Sequence, residues 1–149
     1  MTANVTAPMT AQRHIVKRRI HFGDCDPAQI VYYPRFFEMF DRATEDMFIA
    51  HGIDWQWMHA NIDGFLGMPI LEVNANFRIR INFGDEIEIH NWVGEIREKV
   101  FRIEHEIFRD GQSTATGYEL RALVLRDESA EQGARAAPLP AYLLDKLPR

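Results

Sequence analysis

A strict alternation of apolar and polar side chains runs through thirteen residues of this chain, from Leu71 to Phe83. Successive side chains of a β-strand point to opposite faces of its sheet, so a period of two predicts a strand with one buried and one solvated face. Most strands are only about 5–6 residues long. So long a strand is not stable by itself, and the alternation therefore requires a sheet built around it.

The segments that follow supply partner strands for such a sheet. Each of them alternates again, Gly84-Asp85 predicts a turn before the first, and Asp110-Gly111 is a strong hairpin signal between the last two. The three segments are Glu86 to Val93, Val100 to Phe108 and Thr114 to Leu125. We predict a four-stranded antiparallel meander, which an N-terminal strand over Ile15 to Phe22 is free to join.

The first third of the chain has a helical period instead. Its apolar positions at i, i+4, i+7 and i+11 are Phe36, Phe40, Ala43 and Met47. Pro34 suits the first turn of a helix and Gly52 suits its end. A short helical turn is expected within 54–67, and a short helix or an ordered tail over 139–147. One long helix beside an antiparallel sheet defines an α+β fold.

Length and composition indicate one domain. The chain has 149 residues, of which 46% are hydrophobic and 26% charged, and we expect a flexible leader over 1–13 before a domain over 14–149. A net charge of −5 without a Lys/Arg run argues against a nucleic-acid partner. No apolar run is long enough to span a bilayer, so no membrane partner is expected. A single cysteine precludes an intrachain disulfide, which favours a cytoplasmic location.

The segment 22–34 carries the chemistry of the sequence. It reads Phe22-Gly23-Asp24-Cys25-Asp26-Pro27-Ala28-Gln29-Ile30-Val31-Tyr32-Tyr33-Pro34. A strand ends here at a turn that bears carboxylates, and a helix begins directly afterwards. The first N–H groups of a helix have no intrahelical partner, so they can polarise a carbonyl oxygen while a carboxylate attacks the carbon or activates water. Either aspartate could also serve only as a helix cap.

This segment closely resembles the active-site motif of the 4-hydroxybenzoyl-CoA thioesterases, which are hot-dog-fold acyl-CoA thioesterases. The resemblance extends from about residue 14 to about residue 126 and is sharpest over 22–41. It implies a long central helix wrapped by a curved antiparallel sheet, which agrees with the periodicities above. The family usually has glycine where this chain has Gln29.

The resemblance also implies roles for individual residues. The catalytic carboxylate corresponds to Asp26, acting as nucleophile or general base, and the backbone N–H of Tyr33 would hold the thioester oxygen. Pro27 and Ile30 are expected to contact the substrate. Asp41 matches the position that places an acid against the para-hydroxyl of a 4-hydroxybenzoyl group, although it could equally be a solvated helix acid.

Arg97 and Lys99 are the best candidates for binding the phosphates of CoA, because the resembling enzymes carry basic residues in the corresponding stretch. They could also be solvated turn charges. Cys25 is a poor nucleophile, since neighbouring Asp24 and Asp26 disfavour its thiolate. The six histidines are scattered, so no metal site is predicted. No cofactor is expected, because CoA is part of the substrate.

The resemblance implies a homodimer whose two sheets join edge to edge, with active sites at the subunit boundary, and further pairing into a dimer of dimers. The acyl group is left open between an aromatic type, benzoyl or 4-hydroxybenzoyl, and a short or medium aliphatic chain. Two other functions stay open as well. Hot-dog dehydratases would need a histidine beside the acids, which the motif lacks, and a non-catalytic acyl-thioester binder would use Asp26 only as a cap.

Overall fold

The structure is a computed structural model that describes residues 12–149. It has three α-helices and seven β-strands, with a short 3-10 helix over Phe22–Asp24 after the first strand. The helices are α1 (Pro34–Ala50), α2 (Trp55–Asn61) and α3 (Ala141–Leu144). The strands are β1 (His14–Arg19), β2 (Phe65–Gly67), β3 (Ile70–Phe77), β4 (Glu86–Arg97), β5 (Val100–Arg109), β6 (Gln112–Arg126) and β7 (Ala134–Ala137). The predicted α+β class is confirmed.

All seven strands form one antiparallel sheet with the central order β1-β4-β5-β6. Strands β4, β5 and β6 form a meander as predicted, and Asp110-Gly111, where both residues have positive φ, joins β5 to β6. The prediction that β3 begins the meander is wrong. β3 pairs with β6 instead, and β1 occupies the place beside β4. The chain turns away from β3 at Arg78 and Ile79, and Asn82 then bridges to Ile30.

The alternating segment 71–83 is only partly a strand, and most of the apolar side of that strand is exposed. β3 ends at Phe77, and its side chains Leu71, Val73 and Phe77 are 57%, 38% and 52% exposed. The prediction of a buried face is therefore wrong for the isolated subunit. The reason is topological: among residues 12–149, β3 pairs with β6 on one edge and with no strand on the other.

Helix α1 matches its prediction closely. Pro34 occupies its first turn, and Gly52 follows its end with a φ of +74°. Its apolar stripe faces the sheet, with Phe40 and Met47 fully buried. No helix among the described residues is long and apolar enough to cross a membrane.

The C-terminal segment completes the core. The predicted terminal helix is α3, and Leu143 and Leu147 pack into the half of the core around Met47. Strands β2 and β7 were not predicted, because runs of three and four residues are too short to show a period. The expected leader lies outside the described residues except for its last two. Of these, Arg13 contacts Glu106 at 2.9 Å and lies over the ring of Trp92.

Glycine at position 117 allows α1 to lie close to the sheet. A Cβ atom at this position of β6 would lie 2.4 Å from the carbonyl oxygen of Asn74 and 2.5 Å from the ring of Phe40. Neither neighbour is a flexible chain end that can move aside. Phe40 in turn stacks on His105 with ring centroids 4.4 Å apart.

Gly117→Ala should therefore destabilise the fold by about 1–3 kcal/mol, because overpacking forces side chains and backbone to shift. Urea denaturation of the variant measures this change in the free energy of unfolding. Gly23→Ala is the matched control, since a Cβ there meets nothing within 4 Å. Equal stability of the two variants would contradict the close approach of Phe40.

Candidate active site

The turn after the 3-10 helix fixes the position of Asp26. The Asp26 carboxylate oxygen Oδ1 accepts a hydrogen bond from the backbone N–H of Ala28 at 2.8 Å, and the N–H of Gln29 closes the turn onto the Asp26 carbonyl at 2.9 Å. Gln29 has a φ of +63°. Glycine adopts this left-handed conformation without a steric penalty, which accounts physically for the glycine usual in the resembling family. The carboxylate oxygen Oδ2 of Asp26 has no hydrogen-bond partner within residues 12–149.

Asp24 is engaged in structural contacts. Its carboxylate accepts from Arg18 at 2.7 Å and from the backbone N–H of His21 at 2.9 Å, and its carbonyl accepts from the N–H of Tyr32. These bonds tie the end of β1 to the start of α1. Of the two motif aspartates, Asp26 is thus the one left available for chemistry.

The start of α1 presents one free backbone donor. In the segment 31–36, the N–H groups of Val31, Tyr32, Arg35 and Phe36 each donate to a backbone carbonyl, and Pro34 has no N–H. Tyr33 N–H donates to no acceptor in the part of the chain that the structure describes. An unpaired N–H at the positive end of a helix is the group that binds a developing oxyanion.

Asp26 and Tyr33 line the same cleft, which has a volume of about 400 Å³. Ile30 lines it too, whereas Pro27 is exposed on the turn outside. The cleft also contains residues that the sequence analysis did not single out. They include the buried ring of Phe36, the exposed ring of Phe77 4.7 Å from it, and the exposed arginines Arg78 and Arg80. From the sequence, the two arginines were predictable only as side chains on the polar face of the alternating segment, not as residues of a site.

Asp41 lies in a second cavity of about 390 Å³, not in the cleft of Asp26. The register of β3 on β6 shows how far apart the two sites are. Phe77, beside the cleft, pairs with Ala115, whereas Ile70 pairs with Arg121, the residue that contacts Asp41. Seven residues of strand separate these ends, or roughly 20 Å. Arg97 pairs with Val100, which pairs with Ala122, so Arg97 also lies at the Asp41 end.

The predicted CoA ligands lie at the turn between β4 and β5. Arg97 is exposed and pairs with Glu95 at 2.7 Å, and Lys99 is exposed beside it. The hydrogen bond and charge of Glu95 raise the pKa of Arg97. Within a single chain these groups are therefore not part of the Asp26 cleft.

A buried charged group that the sequence analysis missed lies under the second cavity. Glu119 has no exposed surface, and its carboxylate accepts hydrogen bonds from Thr44 at 2.6 Å and from Arg121 at 3.1 and 3.2 Å. Burial alone would raise the pKa of Glu119, but its contacts with His105 and the charge of Arg121 outweigh burial and hold it at about 2. Burial lowers the pKa of His105, against the opposing effect of Glu119, and the ring stacks on Phe40.

The lone cysteine is a thiol beside the turn. Its Sγ faces the carbonyl oxygen of His21, and burial raises the pKa of Cys25, with further increases from Asp24, Asp26 and Asp85. Within residues 12–149, no three His, Cys, Asp or Glu side chains lie close enough together to hold a metal ion.

The fold and the motif define a class of protein. Residues 20–147 match the family model described as the thioesterase-like superfamily. The chain belongs to this superfamily, and the prediction of a hot-dog-fold thioesterase is confirmed.

Particular relatives are similar over most of the chain. The sequence is 32% identical over 136 residues to 4-hydroxybenzoyl-CoA thioesterase from Pseudomonas sp. (strain CBS-3), covering 87% of this chain and 94% of the relative. Among solved structures, a mutant of 4-hydroxybenzoyl CoA thioesterase complexed with 4-hydroxybenzoyl CoA superimposes with a TM-score of 0.79 and 30% identity, covering 91% and 99% of the two chains. A gentisyl-coenzyme A thioesterase superimposes with a TM-score of 0.74 and 25% identity, covering 88% and 99%.

Glu119→Gln tests the buried charge. The folded-state pKa of about 2 lies below the ordinary value of 4.5, so the stability that the carboxylate supplies is present above about pH 4.5 and lost as the pH falls towards 2. The variant should lose on the order of 3 kcal/mol at neutral pH and clearly less near about pH 3. Urea denaturation at the two pH values measures this difference.

Glu131→Gln is the matched control for this experiment, because Glu131 is exposed in the loop before β7. Its free energy of unfolding should follow that of the parent protein at both pH values. A Glu119→Gln deficit that stays constant with pH would show that Glu119 is not ionised in the folded protein.

Proposed function

We propose that this protein hydrolyses the thioester of an aromatic acyl-CoA, of the benzoyl or 4-hydroxybenzoyl type, to the free acid and CoA. The observation that carries the proposal is the single cleft shared by the free carboxylate oxygen of Asp26 and the free N–H of Tyr33. The names of the relatives agree with it. Each acts on an aromatic acyl-CoA, as do the 1,4-dihydroxy-2-naphthoyl-CoA hydrolases, one of which, from Picosynechococcus sp., is 28% identical over 98 residues.

The two groups divide the chemistry between them. Tyr33 N–H binds the thioester oxygen and stabilises the negative charge that develops there. Asp26 either attacks the carbonyl carbon, giving a mixed anhydride that water opens, or removes a proton from an attacking water. In both routes the CoA thiolate leaves and takes up a proton.

Asp26→Asn should lower kcat for thiol release at least about 100-fold, because an amide is neither a nucleophile nor a base. Release of free thiol from benzoyl-CoA and 4-hydroxybenzoyl-CoA measures the rate. Cys25→Ser is the matched control from the same turn, and it should stay within about threefold of the parent. An unchanged rate in Asp26→Asn would reject the assignment, and a parent protein without any hydrolysis would favour the non-catalytic binder.

The acyl group is tested by comparing kcat/KM for these two thioesters with that for hexanoyl-CoA. A preference for the aromatic substrates supports the proposal, and a preference for hexanoyl-CoA selects the aliphatic alternative. The apolar cleft walls at Phe36 and Phe77 favour an aromatic group. A cytoplasmic location stays a prediction from the cysteine content.

The active site is proposed to be completed by a second copy of the chain. Ala75 and Phe77 face α1, so by the alternation Val73 lies on the same side of β3; Leu71 precedes it at an irregularity in the strand, and both side chains are exposed. A second β3 added antiparallel to the free edge would cover them and extend the sheet. It would also bring the Phe77 end of one subunit beside the Ile70 end of the other.

Such a dimer joins the two separate cavities into one composite site. The Asp26 cleft of one subunit would meet the Asp41 cavity of the other, with the acyl group reaching Asp41 across the boundary. Arg97 and Lys99 lie at the same end as Asp41 and would approach the CoA phosphates from the partner. Arg78 and Arg80, which line the cleft itself, are further candidates for these phosphates. Pairing of two dimers is proposed only from the resemblance.

The double variant Leu71→Lys and Val73→Lys should be monomeric and at least about tenfold less active, because charges on this face oppose its burial in a dimer. Sedimentation gives the mass, and thiol release from benzoyl-CoA gives the activity. Ile15→Lys, on the β1 edge at the other end of the sheet, is the control that should remain dimeric. A fully active monomer would contradict the composite site.

A further inference from the structure

The second cavity has apolar walls and, at one corner, the contact between Asp41 and Arg121. Phe48, Trp55, Phe65 and Met68 are among its walls, and a space of about 390 Å³ between them accommodates a single aromatic ring. Asp41 and Arg121 supply charged groups to the corner. Thr44, Glu45, Asp54 and Gln56 also line the cavity.

Arg121 is held in a fixed orientation. Its Nε and one terminal nitrogen donate to Glu119 at 3.2 and 3.1 Å, and its other terminal nitrogen donates to the carbonyl of Met68 at 2.9 Å. The nitrogen that contacts Glu119 also donates to Asp41 Oδ1 at 2.6 Å. Four of the five N–H groups of a guanidinium are thereby used, so its plane cannot rotate.

Asp41 is left with one free oxygen. Its Oδ1 accepts from Arg121, whereas Oδ2 has no hydrogen-bond partner within residues 12–149, and the side chain is 58% exposed. An unclamped aspartate on a helix surface would sample several rotamers. The contact with Arg121 selects one of them, in which the carboxylate lines the cavity.

The charges in this corner determine which ligand group fits. Arg121 forms an ion pair with Glu119, and three carboxylates, Asp41, Glu45 and Asp54, line the cavity, so its lining is net negative. A carboxylate on the acyl ring would be repelled. A hydroxyl can donate its proton to the free oxygen Oδ2 of Asp41, so a hydroxyl fits this corner.

We propose that Arg121 is a positioning residue that, held from behind by Glu119, fixes Asp41 so that this carboxylate selects acyl groups bearing a ring hydroxyl. The inference rests on the proposed function and deepens it. Asp41 makes the contact to the substrate, and Arg121 determines whether its carboxylate is in place. Without the clamp, a hydroxylated ring loses its advantage over a plain ring.

The test is the ratio of kcat/KM for 4-hydroxybenzoyl-CoA to that for benzoyl-CoA. The parent protein should favour the hydroxylated substrate by about tenfold or more, since one buried hydrogen bond to a charged group has that value. Arg121→Lys, which keeps the charge but not the planar contact, should reduce the ratio by about fivefold or more. The kcat/KM for benzoyl-CoA should fall by less than that for 4-hydroxybenzoyl-CoA, because the plain ring has no hydroxyl to donate to Asp41.

A second variant tests whether the effect of Arg121→Lys arises from misfolding. Glu119→Gln combined with Arg121→Gln removes the buried pair together, so no unpaired charge remains, and it should reduce the ratio in the same way. Arg135→Lys, at an arginine of β7 that pairs with Asp127, is the control whose ratio should match the parent.

Asp41→Asn separates positioning from a general structural role. If Arg121 acts through Asp41, Arg121→Lys should change the ratio no further in the Asp41→Asn background. Parallel loss of both substrates in the Arg121 variants, or additive effects with Asp41→Asn, would overturn the proposal. A parent protein that hydrolyses benzoyl-CoA without preferring the hydroxylated form overturns this inference alone, whereas one that hydrolyses neither overturns the proposed function as well.

Discussion

The packing of Phe40 against Gly117 and His105 determines how closely α1 approaches the sheet. The positions of both candidate cavities depend on this distance. The helix begins at the Asp26 cleft and carries Asp41 two turns later. A rigid helix pinned at Phe40 therefore fixes the free N–H of Tyr33 at one end and Thr44 over Glu119 further along. The absence of a side chain at position 117 thus determines the geometry of groups on either side of it.

Much of the architecture was accessible from the sequence because it is encoded locally. The period of α1, with Pro34 and Gly52 at its limits, needs no knowledge of the rest of the chain, and neither does the hairpin at Asp110-Gly111. The motif around Asp26 could likewise be recognised from the sequence alone. The location of β3 beside β6 could not be predicted from the sequence, because strand order depends on which edges remain free after the whole chain has folded. A periodic pattern also cannot show whether a second chain covers the apolar side.

The charged groups beneath α1 escaped prediction for a related reason. In β6, Glu119 and Arg121 alternate with Tyr118 and Leu120, and by composition alone the charged pair belongs to the solvated face. The structure places them inward, where each compensates the other and Thr44 adds a hydrogen bond. Whether such a charged side chain is buried or exposed depends on partners that are distant in the sequence. The only available signal was two opposite charges two residues apart on one face of a strand.

The state of Cys25 bears on how the protein withstands its own chemistry. A thioester hydrolase liberates a thiol at every turnover, and thiols exchange with disulfides through their thiolate forms. Burial and nearby acids raise the pKa of Cys25, which lowers the fraction of its thiolate and so its reactivity towards disulfides. The carboxylates that serve the chemistry of this turn therefore also make its own sulfur less reactive towards the disulfides that released thiols form on oxidation.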